Sequence, residues 1–169
     1  LDEVSDADYF KNPEELKTYV NQYYNSTFFP SYANHGSDFG SDNQVRLNID
    51  QRLEGTRTVA TSGSIGFANV RSINYFFDNY KKVEKGHTLD KYKQYLGEAY
   101  FFRAVNYFNL LESYGDIQWI NTELKTTSPE LYKPRDPRSL VADQIIAALD
   151  SAAMYLTADK TTGAARVNK

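Results

Sequence analysis

Apolar side chains recur along this chain at helical spacing in four places, and between the first and second of these the pattern dissolves. The first periodic stretch covers about 13–25, where Leu16, Tyr19, Val20, Tyr23 and Tyr24 share one face. Asn12 suits the N-cap, Pro13 the first helical position, and Glu15 completes a capping-box pattern. The second helix is predicted over about 67–85. Phe67, Val70, Ile73, Phe77 and Tyr80 form its stripe, and Gly86 is placed to end it in the left-handed conformation. The third runs from about 90 to 114, where Gly115 stops it. Tyr92, Tyr95, Leu96, Ala99, Phe102, Tyr107, Leu110 and Tyr114 mark one broad face, and Phe101, Val105 and Phe108 lie on the other. A helix that is apolar on both sides is expected between neighbours. In the fourth, Asp136 is the expected cap and Pro137 the first residue, with Leu140, Val141, Ile145, Leu149, Ala152, Ala153 and Leu156 continuing the period.

The stretch 28–66 reads differently. Ser, Asn, Gly and Asp dominate it, as in Ser37-Asp38-Phe39-Gly40-Ser41-Asp42-Asn43, and such side chains favour turns by bonding their own backbone. A weak amphipathic run occupies 45–53. Loops this long inside a compact domain are usually functional or flexible. The fold class that follows is all-α: tetratricopeptide-like stacked helical hairpins with a long irregular loop region. Leu96-Gly97-Glu98-Ala99-Tyr100 matches the Leu-Gly-x-x-Tyr part of that repeat, although the later Ala position falls on Asn109. Residues 1–169 are expected to be the N-terminal portion of a longer helical domain, with a loop-rich insertion at about 28–66 and helical repeats over about 67–169. The ending at Gly163–Lys169 reads as the lead-in to another helix.

Composition sharpens this picture in one respect. Fourteen Tyr, ten Phe and one Trp make 15% of the chain, more than an ordinary core requires. Tyr joins an apolar body to a polar tip, which suits both helix packing and sugar or protein contact. A net charge of −3 without a basic stretch excludes a nucleic-acid face. With no Cys there is no disulfide framework and no thiolate chemistry. No run approaches the length needed to span a bilayer, and no cofactor is expected. A leader is expected to have been removed before Leu1.

The third helix carries a specific resemblance. Gly97-Glu98-Ala99-Tyr100-Phe101-Phe102-Arg103-Ala104-Val105-Asn106-Tyr107-Phe108-Asn109-Leu110, followed by Tyr114-Gly115-Asp116-Ile117, resembles the signature of SusD/RagB-like outer-membrane nutrient-binding lipoproteins. Arg71-Ser72-Ile73-Asn74 resembles that family's Arg-x-x-Asn on the preceding helix, and the ending resembles its Gly-Arg-x-x-Lys segment. Gln118 departs from the usual Pro, which alters a loop. The resemblance implies a surface-exposed lipoprotein of the outer membrane that captures oligosaccharides, occasionally peptides. It would pass them to a SusC-like TonB-dependent transporter without breaking a bond. Membrane contact would come only through a lipid anchor outside this chain. Arg71, Asn74, Gly97, Glu98, Ala99, Arg103, Ala104, Tyr107, Tyr114, Gly115 and Asp116 are then structural signature positions.

Sugar recognition needs a flat aromatic for the ring face and amides or carboxylates for the hydroxyls. The irregular stretch supplies both, in Tyr32, Asn34, Asp38, Asp42, Asn43, Gln44 and Arg57. The competing view is an ordinary solvated loop. Asp38, Asp42 and Asn43 carry oxygens of the kind Ca²⁺ uses, but not at EF-hand spacing, and no metal is expected. Trp119 could stack on a sugar, though burial against the third helix explains it better. Glu98 and Arg103, five apart, face different directions and read as pairing with neighbouring helices rather than catalysis. Hydrolysis of glycosides needs two carboxylates held across a cleft, and nothing points to such a pair. His35 and His87 are isolated. Two other functions remain open on sequence: an adaptor binding a peptide or protein, and a glycan-active enzyme.

Overall fold

The computed structural model describes residues 9–25, 28–29, 47, 51, 53–58, 60, 65–158 and 166–169. Its elements are α1 (Pro13–Asn21), α2 (Ala68–Asn79), α3 (Leu89–Tyr114) and α4 (Arg138–Tyr155), with 3-10 turns at Tyr80–Lys85 and Pro129–Tyr132. The described residues contain no strand, only one antiparallel bridge between Ile117 and Asp136. The fold is all-α.

Glu15 organises the start of α1. Its Oε2 accepts the backbone N–H of Lys11 at 2.7 Å and of Asn12 at 3.2 Å, and its Oε1 accepts the Asn12 side chain. Phe10, just before, has φ 70 while its side chain is fully buried. A left-handed aromatic residue costs about 1–3 kcal/mol and persists where packing fixes it. Here the ring sits against Tyr9, Tyr19, Tyr75 and Phe76. The helix ends at Asn21, four residues before the periodicity does. Gln22 Nε2 takes the Tyr19 carbonyl and Asn25 Nδ2 takes the Gln22 carbonyl, so side-chain amides replace a further helical turn.

The helix predicted over 67–85 is α-helical only to Asn79, then tightens into the 3-10 turn. Gly86 has φ −130, so the expected left-handed stop is not used. The Gly86 and His87 N–H groups both close on the Val83 carbonyl instead.

α3 is the axis of the molecule. Asn74 meets Arg103, Phe77 meets Tyr100 and Glu84 meets Tyr92, so α2 lies antiparallel to it. α4 is also antiparallel: Arg138 bonds Asp116 at one end, and Tyr155 stacks on Tyr100 at 5.9 Å at the other. Gly97 permits that approach, since a Cβ there would stand 2.8 Å from the Leu156 amide nitrogen. Two apolar clusters share this axis. One gathers Phe10, Leu16, Val20, Phe76, Tyr92 and Phe102; the other gathers Tyr107, Ile117, Trp119, Val141 and Ile145. Trp119 is buried, its ring 4.1 Å from that of Tyr107.

Three further sequence expectations are corrected. Asp136 does not cap α4: its Oδ2 accepts the Trp119 N–H and the Lys133 ammonium. Asp116 accepts the Arg138 N–H in its place, so the residue after the α3 stop starts the next helix. Nor is α3 covered on every side. Phe101 and Val105 are half-buried and Phe108 is 55% exposed, because α1, α2 and α4 leave that strip open. Finally, α4 buries Val141, Ile145, Ala148 and Ala152, with Leu156 just beyond its end, and leaves Leu140, Leu149 and Ala153 of the expected stripe exposed on its flanks.

Candidate ligand-binding region and the scaffold that holds it

The polar stretch 28–66 leaves the helical body at one apolar cluster and returns at the other. Phe28 is buried with its ring 5.2 Å from Phe102, and Phe29 stacks on Tyr24 at 5.7 Å and 15°. At the far end Ile65 and Phe67 pack against the cluster that contains Tyr107 and Trp119. Aromatic anchors of this kind fix where a loop begins and ends whatever its interior sequence. Between them, Gln51 carbonyl oxygen accepts the Thr56 and Arg57 N–H groups, and Gly55 takes φ 69 in the turn this closes. Arg57 is exposed on that turn. Tyr32, Asn34, Asp38, Asp42, Asn43 and Gln44 lie outside the described residues, as do His35 and most of 45–53.

The signature residues form two buried polar networks on α3. In the first, Glu98 is 0% exposed and receives Arg166 as a fork: Nε reaches Oε1 at 2.9 Å and Nη2 reaches Oε2 at 2.6 Å. Gln94, one turn earlier, donates to Oε1 at 2.8 Å and also to the Val167 carbonyl. Its own oxygen accepts the Thr157 N–H and hydroxyl. Arg166 Nη1 bonds Asn21 on α1, and the guanidinium lies over the Tyr24 and Tyr95 rings. Tyr24 hydroxyl accepts the Val167 N–H at 3.0 Å. Residues 166–169 are thereby laced to α1, α3 and the end of α4. Burial alone would lower the Arg166 pKa, but the Glu98 carboxylate outweighs it and holds it above its ordinary value. Burial pushes the Tyr24 hydroxyl up.

In the second network Arg103 Nη2 donates to Asn74 Oδ1 at 2.6 Å, and the guanidinium sits 3.9 Å above the Phe77 ring. Asn74 Nδ2 donates in turn to the Ile120 and Thr122 carbonyls. Tyr107 hydroxyl donates to the Ile120 carbonyl and accepts its N–H. Burial pushes that hydroxyl up to about 12 and lowers the Arg103 pKa. Among the described residues Arg103 Nε and Asn106 Nδ2 have no hydrogen-bond partner. On the outer edge Arg71 pairs with Glu123, whose N–H is taken by Asp78. The α3–α4 connection is thus pinned to α2.

The remaining signature positions are backbone devices. Ala99 and Ala104 are buried where helices meet. Gly115 takes φ 71 and ψ −118 at the end of α3, beside half-buried Tyr114. Neither Glu98 nor Arg103 is placed to act on a substrate, since both Glu98 oxygens are engaged and Arg103 is committed to Asn74 and Phe77. Gln94 was invisible to the periodicity reading, although its position four residues before Glu98 on one face carries the signal. Arg166 had no local context that would name its partner.

Against known families, the model of the SusD-like family, described as starch-binding and associating with the outer membrane, matches residues 4–169. The chain belongs to the SusD-like family. Its α3 signature and the Arg166 segment, paired through Glu98, both fall within the matched range. No curated protein and no solved structure matches. None of the described helices is long and apolar enough to cross a membrane.

Proposed function

We propose that this chain captures oligosaccharides at the bacterial outer membrane and delivers them, unaltered, to a SusC-like TonB-dependent transporter. One observation carries the reading: the match to the SusD-like family along residues 4–169. The geometry supports it in a limited and physical way. The charged signature residues are consumed in holding helices together, and the sequence between the anchors at Phe28–Phe29 and Ile65–Phe67 is rich in side chains that bond hydroxyls. Binding proteins commonly divide labour this way, with a rigid scaffold and loops that carry recognition. Within the segment Tyr32 supplies a ring face, while Asn34, Asp38, Asp42, Asn43, Gln44 and Arg57 supply hydroxyl partners. Surface display through a lipid anchor outside these residues would place it over the transporter.

Calorimetric titration against a panel of oligosaccharides, starting with maltoheptaose, tests this. Saturable heat with the sugar recovered intact by chromatography is the expected result. Cleaved sugar would make the protein an enzyme instead. No heat with any glycan, but binding to peptides, would make it an adaptor.

A further inference from the structure

The tyrosines divide unequally. Every described tyrosine except one lies in, or packs against, one of the two apolar clusters. The exception is Tyr132, 85% exposed at the end of the Pro129–Tyr132 turn, with Leu131 beside it 43% exposed. Among the described residues neither its ring nor its hydroxyl has a partner.

The turn that displays it is heavily secured. Ser128 Oγ accepts the Lys125 N–H, the Ser128 carbonyl accepts the Leu131 N–H, and the Glu130 carbonyl accepts the Lys133 N–H. Gln118 Nε2 holds the Lys133 carbonyl at 2.9 Å, and Lys133 Nζ pairs with Asp136 at 2.7 Å. Asp136 in turn holds the Trp119 N–H, which ties the turn to the core. Pro129 and Pro134 fix two further backbone angles. An aromatic ring that only had to be tolerated in water would not need so rigid a mount. A ring that must meet a ligand gains by it, because less freedom is lost on binding.

We propose that Leu131 and Tyr132 form a stacking platform for a pyranose ring, a glycan contact separate from the 28–66 segment. The proposal rests on the glycan-capture function above. Two observations favour a sugar over a protein surface. The apolar patch is two residues wide, about the footprint of one sugar ring, whereas protein interfaces need several hundred Å² per partner. Exposed Glu130 and Arg135 lie two residues before and three after Tyr132 in the chain, so acceptor and donor groups suited to sugar hydroxyls are close to it in sequence. Phe108, also exposed, differs in lying within α3 rather than on a turn.

Titration of the whole chain with maltoheptaose, and with the remaining panel, decides the matter for the parent, Tyr132→Ala and Tyr132→Trp. The expected result is affinity about tenfold weaker for Tyr132→Ala, retained affinity for Tyr132→Trp, and unchanged thermal melts for both. If Tyr132→Ala binds as tightly as the parent, the platform is refuted while glycan capture stands. If the parent binds no sugar, glycan capture fails and the platform with it. If Tyr132→Ala keeps its sugar affinity but no longer retains a detergent-solubilised transporter, the pair is a protein-docking contact and the platform is likewise refuted.

Discussion

Among the described residues Arg103 is buried and Arg166 nearly so, and their surroundings differ. Arg166 meets a fully buried carboxylate, Glu98, in a two-pronged ion pair. Arg103 forms no ion pair with a carboxylate among the described residues; an amide oxygen of Asn74 and the face of Phe77 hold it. The first arrangement ties together parts far apart in sequence, since residues 166–169 reach back to α1 and α3. The second ties neighbours, α2 to α3 and to the connection that follows. The cost of losing an arginine therefore depends on what is left behind. Without Arg166 a buried anion remains; without Arg103 only a neutral amide does.

That contrast makes the largest prediction. Arg166→Met should lower the unfolding free energy by about 3–5 kcal/mol, because it strands the Glu98 charge. Arg103→Met should cost about 1–3 kcal/mol, the price of one unpaired buried acceptor. Urea denaturation of both variants checks the order, and equal losses would erase the distinction.

The difference was half legible in the sequence. Helical periodicity located all four helices, and the signature around Gly97–Tyr107 marked the central one, because packing between helices repeats every few residues. Helix ends were read less well. Arg138 becomes a boundary through Asp116 arriving from the end of α3, whereas α1 stops on the amides of Gln22 and Asn25 and α2 tightens into a 3-10 turn after Asn79. Arg166 could not be matched to Glu98, since nothing local records a contact spanning 68 residues. The proposed sugar contacts of the 28–66 stretch, Arg57 apart, fall outside the described residues. Tyr132 drew no notice in the sequence, where no periodic pattern distinguishes an exposed tyrosine from a packed one.

Next in size is Gly97→Ala, beside the first network. Its Cβ would meet the Leu156 backbone at 2.8 Å, which must shift. A loss of about 1–3 kcal/mol is expected from such overpacking, read as a lower denaturation midpoint. The corresponding change in the second network, Ala104→Gly, creates no clash and should cost only about 1 kcal/mol.

Both networks contain tyrosines that are shielded from ionisation, Tyr24 in one and Tyr107 in the other, with Tyr23 between helices. Their folded pKa values are raised above those of the unfolded chain. The stability they carry is present in full below about pH 10 and is lost as the pH rises beyond it. Tyrosinate absorbance should therefore lag in a spectrophotometric titration, then rise together with loss of helical circular dichroism. Smooth titration of all tyrosines near pH 10 in the folded protein would contradict their burial.

The smallest effect belongs to Asp136. Burial would raise its pKa, but the Lys133 ammonium and the Trp119 N–H outweigh this and hold it below the ordinary carboxylate value. Its contribution is present above about pH 4 and lost as the pH falls through the folded value. Asp136→Asn should therefore flatten the acid limb of the melting-temperature profile slightly.

The central claim is that Glu98 and Arg166 act as one unit that closes the scaffold. A double-mutant cycle measures this directly, with Glu98→Leu, Arg166→Met and the two combined, followed by urea denaturation. The combined variant should recover about 2 kcal/mol or more of the summed single losses, because neither charge is then stranded. Strictly additive losses would mean that the two residues stabilise the fold independently, and the latch would not exist.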